Sequence, residues 1–103
     1  MLFAVIPKLT GSEDDYEAFF AELKSLGPWS DRLHPTLLVE CGLNTSELRN
    51  TLKPLLQPRD RLLVVEVVRN WAATNMGEGF PEWLGRRTMR RGTRDDRERG
   101  GDA

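Results

Sequence analysis

Two apolar runs, Leu2–Leu9 and Leu62–Val68, are almost uninterrupted, and two stretches of helical periodicity lie between them. In Leu62–Val68 (LLVVEVV) only Glu66 is not aliphatic, and the valines suit a buried, pleated strand. Alternation puts Leu63, Val65 and Val67 on one side and Leu62, Val64, Glu66 and Val68 on the other, so both faces of the strand are apolar. Leu2–Leu9 has the same character, with Phe3 and Val5 opposite Leu2, Ala4 and Ile6. Pro7 lacks an amide donor, which predicts that strand pairing weakens there.

Between these runs, Ser12 followed by Asp15 forms a capping-box pattern, with Glu13, Asp14 and Asp15 placed where a first helical turn exposes its amides. Tyr16, Phe19, Phe20, Leu23 and Leu26 then make an amphipathic stripe, and Gly27 with Pro28 stops it. Trp29–Leu33 and Thr36–Cys41 are extended segments around His34 and Pro35, either a hairpin or one strand bent at the proline. Asn44 or Thr45 caps a second helix carrying Leu48 and Leu52, which Pro54 ends or kinks near Leu52 or Lys53. Residues 70–79 read as a loop. Phe80, Trp83 and Leu84 around Pro81 predict one short turn of helix or an extra strand packing back on the domain.

Strand, helix, two strands, helix, strand is the ferredoxin-like βαββαβ order: an α+β fold with a four-stranded antiparallel sheet and two helices on one face. The first and third strands lie in the middle, and the last lies beside the first, at an edge. Phe19, Phe20, Leu23, Leu48 and Leu52 are expected against Val5 and Val65. If the helices cover Leu63, Val65 and Val67, then Leu62, Val64 and Val68, with Leu2 and Ile6, face away from them. Each such side chain is worth about 1.5–3 kcal/mol when fully buried, so these residues are the expected interface of a homodimer. Phe80–Leu84 would cross over to cap the partner's edge.

Composition and charge add limits. A chain of 103 residues holds one core, and its net charge of −1 gives no general attraction to nucleic acid. The charge is uneven: residues 86–103 hold seven arginines against four acidic residues, a net +3 that leaves −4 for the rest. Residues 1–87 are therefore read as the folded domain and 88–103 as a disordered charged tail, and Arg86, Arg87, Arg90 and Arg91, on either side of that boundary, are the candidate nucleic-acid contacts. Cys41 is the only cysteine, which excludes an intramolecular disulfide and points to a reducing, cytoplasmic setting. No apolar stretch approaches the roughly 20 residues needed to span a bilayer. The opening MLFAVIP lacks the basic start and cleavage site of a signal peptide.

The helix ending in Leu26-Gly27, Trp29, the segments RLHPTLLVEC, SELRNTLKPLL and DRLLVVEV, and the triplet NWA at 70–72 together resemble the small SinR-like proteins. These are related to the CRISPR-associated adaptation endonuclease, the smaller of the two proteins that integrate spacers. The resemblance covers residues 1–84. It implies a ferredoxin-like subunit that forms a homodimer by packing sheets face to face, a place in antiviral defence, and either metal-dependent nuclease activity or a non-catalytic role in bridging DNA. The family's metal-binding aspartate closes the first strand, where this chain carries Lys8. An ammonium group repels Mg²⁺ and supplies no hard oxygen ligand, so nuclease activity is not expected.

No catalytic or metal-binding constellation emerges from the residues, and no cofactor is implied. The Glu13–Glu17 acids read as a helix start, and His34, the only histidine, reads as a turn or interface residue. Cys41 reads as an inert buried thiol. Trp29, Trp71, Trp83 and Phe80 offer either a stacking surface for single strands or, the preferred reading, closure of the core. The expectation is thus a non-catalytic dimeric protein that binds DNA, RNA or a partner protein. The alternatives are a divergent metal-dependent endonuclease whose acidic ligand has moved to Glu40 or Asp31, and a small regulatory ligand-binding module.

Overall fold

The computed structural model describes residues 1–92, with side-chain surroundings through Thr88. Its elements are β1 (Leu2–Lys8), a 3-10 turn (Glu13–Tyr16) leading into α1 (Glu17–Ser25), β2 (Trp29–Leu33), β3 (Thr36–Glu40), α2 (Thr45–Leu52) with a 3-10 turn (Lys53–Leu55), β4 (Arg61–Glu66) and α3 (Phe80–Gly92). The strands form one antiparallel sheet in the order β2-β3-β1-β4, the ferredoxin-like arrangement. α1 and α2 back one face.

Local chemistry sets these boundaries. Asp15 accepts the Ser12 N–H at 3.0 Å, and Asn44 and Glu47 cap α2 reciprocally at 2.8 and 2.9 Å. Pro54 converts the end of α2 into the 3-10 turn. Gly27 is required by close approach, since a Cβ there would collide with the Glu40 carbonyl oxygen. β1 pairs with β3 only as far as Val5 opposite Leu37, but with β4 as far as Lys8 opposite Arg61. The difference follows from Pro7: the Val67 N–H donates to the Leu2 carbonyl at 2.9 Å. Even-numbered residues of β1 therefore face β4, and the donor that Pro7 lacks is one that would face β3.

Under α1 and α2 the core is closed. Phe3, Val5, Phe19, Leu23, Leu37, Val39, Leu48 and Leu52 are fully buried, and Tyr16 joins them. β4 meets this core through Leu62 and Val64, because Val5 is opposite Val64 in the register. This corrects the expected facing of β4: Val65 does not lie under the helices, and Leu62 and Val64 are not on the outer face. The expectation excluded from the core the set of positions containing Glu66. Glu66, however, is the last residue of β4 and only half-buried, so the end of the strand accommodates it.

A third helix occupies the other face, longer than the single turn expected there. Phe80–Leu84 does pack back on the domain, as the start of the thirteen-residue α3. Phe80 and Leu84 bury Leu2 and Leu38, with Ala4, Val67, Trp71, Met76 and Trp83 around them. Leu2 is thus covered by its own chain, which removes it from an accessible interface. α3 also runs through the boundary drawn at residue 88: Thr88 is buried, accepts the Trp71 indole N–H at 3.1 Å and donates to the Leu84 carbonyl at 3.0 Å. Residues 93–103 of the expected tail lie outside the described residues.

Candidate functional site

α3 is anchored toward β3 and the start of β1. Arg87 meets Glu40 at 3.3 Å, with both side chains largely covered, and Phe80 and Leu84 sit on Leu2 and Leu38. Coverage stops there. On the rest of that face, Ile6, Leu63 and Val65 are 39%, 56% and 37% exposed, and the register places Ile6 directly beside Leu63. One row further along, Lys8 stands opposite Arg61, both exposed. The open part of the sheet is therefore an aliphatic strip that ends in two adjacent cations.

The same strand is an edge. By the alternation fixed at Val67 and Leu2, Leu63 and Val65 direct their backbone groups toward β1, whereas Leu62 and Val64 direct theirs outward. Beside this edge runs a groove walled by α2. One part, about 240 Å³, is lined by Thr45, Ser46, Arg49 and Leu62–Val64. The other, about 440 Å³, is lined by Arg49, Lys53, Leu56, Asp60 and Leu62. Asp60 is committed within the chain: it accepts from the Thr10 N–H and hydroxyl (2.8 Å each), the Tyr16 hydroxyl (2.9 Å) and the Gln57 N–H (2.7 Å). Desolvation raises its pKa, but these hydrogen bonds prevail and hold it at about 2.

The aromatic residues form a second candidate, a cleft of about 320 Å³ between β2 and the start of α3, lined by Trp29, Arg32, Phe80 and Trp83 among others. Its rings are faced by the chain's own cations: Lys24 lies 4.4 Å from the Trp29 ring centre, Arg32 5.8 Å from Phe80 and Arg87 4.2 Å from Trp83. Arg32 also donates to the Met76 and Glu78 carbonyls, tying the loop before α3 to β2. With Phe80 buried and Trp71 bonded to Thr88, Phe80, Trp71 and Trp83 close the second core, whereas Trp29 remains exposed.

The other candidates are dispersed. Of the expected interface residues, Ile6 and Val68 are exposed, Leu62 and Val64 are half-buried against the helix-side core, and Leu2 is buried. Of the arginines, Arg86 is exposed and Arg87 is engaged by Glu40 and Trp83; Arg90 and Arg91 belong to α3, but their side chains lie outside the described part. Asp31 lies 3.9 Å from Lys24, so both acids considered as relocated metal ligands, Glu40 and Asp31, face a cation. His34 is 3.8 Å from Glu13, and Cys41 is buried. Among the described residues no group of three or more His, Cys, Asp or Glu side chains is placed to hold a metal ion. Nor is any helix among them long and apolar enough to cross a membrane. The sequence marks Lys8 only as a missing ligand; its pairing with Arg61 depends on the register, which the sequence does not spell out.

Comparison of the chain with protein-family models, with curated proteins and with solved structures finds no match. Fold and site together define the class, a ferredoxin-like α+β domain with a third helix across part of its second face.

Proposed function

We propose that this protein is a non-catalytic binding protein that acts as a homodimer and grips the phosphate backbone of nucleic acid. The observation that carries this reading is the Lys8–Arg61 pair. Like charges directly opposite on neighbouring strands repel, and an anion seated between them relieves that repulsion, whereas a divalent cation is driven away. The likeness to SinR-like proteins supports the same reading, with Lys8 standing where a metal ligand would be needed for cleavage and Arg61 beside it. The homodimer is supported by the exposed aliphatic strip of Ile6, Leu63 and Val65 next to the pair.

The test is fluorescence anisotropy with short labelled DNA and RNA duplexes, in parallel with cleavage assays in Mg²⁺ and Mn²⁺. Binding is expected to weaken steeply with salt, as counterion release requires. Lys8→Ala combined with Arg61→Ala is expected to reduce affinity about tenfold or more, since each phosphate contact contributes to binding through the counterions it releases. No cleavage is expected from the natural chain. Binding that the double substitution leaves intact overturns the assignment of the site, and metal-dependent cleavage overturns the non-catalytic reading.

A further inference from the structure

The two edges of the sheet differ in a way that bears on self-association. β2 carries Ser30, Asp31 and Arg32, its register with β3 shifts between Ser30 and Leu33, and Arg32 ties it to the loop before α3. Charges, irregular pairing and a covering loop are what discourage an edge from pairing with another chain. β4 is regular and uncovered by a loop, contains no proline, confines its charges to its two ends, Arg61 and Glu66, with four consecutive aliphatic residues between them, and directs the backbone groups of Leu62 and Val64 outward beside an open groove. Residues 93–103 (TRDDRERGGDA) offer no large apolar side chain for the strip beside it.

We infer that two copies of this chain pair antiparallel along β4, with the two-fold axis at Val64, to form one eight-stranded sheet. The inference rests on the homodimer proposed above and specifies its interface.

Parity and charge select the register. Antiparallel pairing about a two-fold axis brings residues of the same parity together, so the axis passes through a residue and not between two. The two registers that preserve most of the strand centre on Leu63 or on Val64. Centring on Leu63 sets Glu66 opposite the partner's Asp60, carboxylate against carboxylate. Centring on Val64 sets it opposite the partner's Leu62, on the helix side, where Arg49 and Lys53 line the groove. On the open face this register puts Leu63 opposite the partner's Val65, so the two aliphatic strips become one continuous surface across the axis.

Three substitutions test this in the full chain. Val64→Cys places two thiols at the axis, where paired Cα atoms are about 5.5 Å apart and within disulfide reach. Mild oxidation is expected to convert the native dimer into a covalent one of the same hydrodynamic size, while Leu33→Cys on β2 does not crosslink. Val64→Pro removes an outward-facing donor that β1 does not use, and is expected to give a folded monomer by circular dichroism and light scattering. Glu66→Lys is expected to raise the dimer dissociation constant about tenfold, and Arg49→Glu in the same chain to restore it, as for a charge pair across an interface. If Val64→Pro does not fold, the crosslink and the charge swap still decide. A natural chain that is monomeric at micromolar concentration overturns the homodimer and this inference together. A dimer that neither crosslinks through residue 64 nor responds to the charge swap overturns the β4 interface alone, as does a β4 edge that protects its amides only when a different protein is added.

Discussion

The two faces of the sheet are both built from aliphatic residues but end in different states. On the helix-backed face, α1 and α2 meet β1 and β3 over a core whose central side chains are fully excluded from water, with the half-buried Leu62 and Val64 of β4 at its margin. On the other face, α3 closes only the part over Leu2 and Leu38 and leaves Ile6, Leu63 and Val65 exposed. The difference lies in what holds the covering layer. α1 and α2 contribute aromatic and leucine stripes along their length, whereas α3 relies on Phe80 and Leu84, a buried threonine hydroxyl, and an arginine paired with Glu40. The first layer supplies the stability of the domain. The second leaves an aliphatic strip open for contact with another molecule.

The largest expected effect falls on the closed face. Phe19→Ala removes a fully buried ring in edge-to-face contact with Phe20, at 5.1 Å between ring centres. It should cost about 3–5 kcal/mol in denaturant unfolding, enough to unfold much of the population at body temperature. Leu84→Ala in α3 is next, at the lower end of the range of about 2–5 kcal/mol for such truncations, because its layer is thinner. Hydrogen exchange sharpens the contrast: Leu84→Ala should speed exchange in α3 while leaving α1 and α2 protected. If protection falls equally in all three helices, the two faces form a single cooperative unit and the contrast is lost.

A smaller effect belongs to Asp60, which ties the Thr10 turn and the buried Tyr16 to the start of β4. Its pKa is lowered in the fold to about 2 from the ordinary 3.8, so its contribution to stability is complete above 3.8 and is lost as pH falls through 2. Asp60→Asn should therefore lower the melting temperature at pH 7, with the gap to the natural protein closing between pH 4 and 2. A gap that stays constant down to pH 2 would show that the ionised form contributes nothing.

Much of the closed face was legible in the sequence, and its physical reasons are local. Capping residues mark both helix starts, Gly27 and Pro54 mark the stops, and the stripe from Tyr16 to Leu23 faces the sheet as its spacing predicts. The open face was harder to read for two reasons. Alternation divides β4 into two sets but does not say which one faces the helices, and Glu66 pointed to the wrong one. α3 was hidden because its inward positions, Phe80, Leu84 and Thr88, follow helical spacing but end in a threonine among arginines, which reads as a solvated tail until Trp71 is placed beside that hydroxyl. Leu2 and Ile6 share a face as alternation requires, yet only Ile6 remains accessible, because the reach of α3 is set by tertiary contacts.

The smallest expected effect tests the contrast most directly. Leu63 is 56% exposed and Val5 is fully buried, so introducing a threonine at each position asks the same question of the two faces. At Val5 the hydroxyl enters a closed apolar core, and leaving it without a hydrogen-bond partner costs about 1–3 kcal/mol. At Leu63 the hydroxyl meets water, and a surface substitution of this kind changes stability by no more than about 0.5 kcal/mol. Both variants should be compared by urea unfolding at protein concentrations low enough that self-association makes no contribution, since binding to the folded state raises apparent stability by mass action. Under those conditions Val5→Thr should shift the midpoint clearly, and Leu63→Thr should overlay the natural chain. As concentration rises, the natural chain should gain stability while Leu63→Thr gains less, because Leu63 is the residue that meets the partner's Val65 across the β4 edge. Equal destabilisation of the dilute protein by both substitutions would mean that Leu63 is already buried within the single chain, and the open face would have to be redrawn as closed.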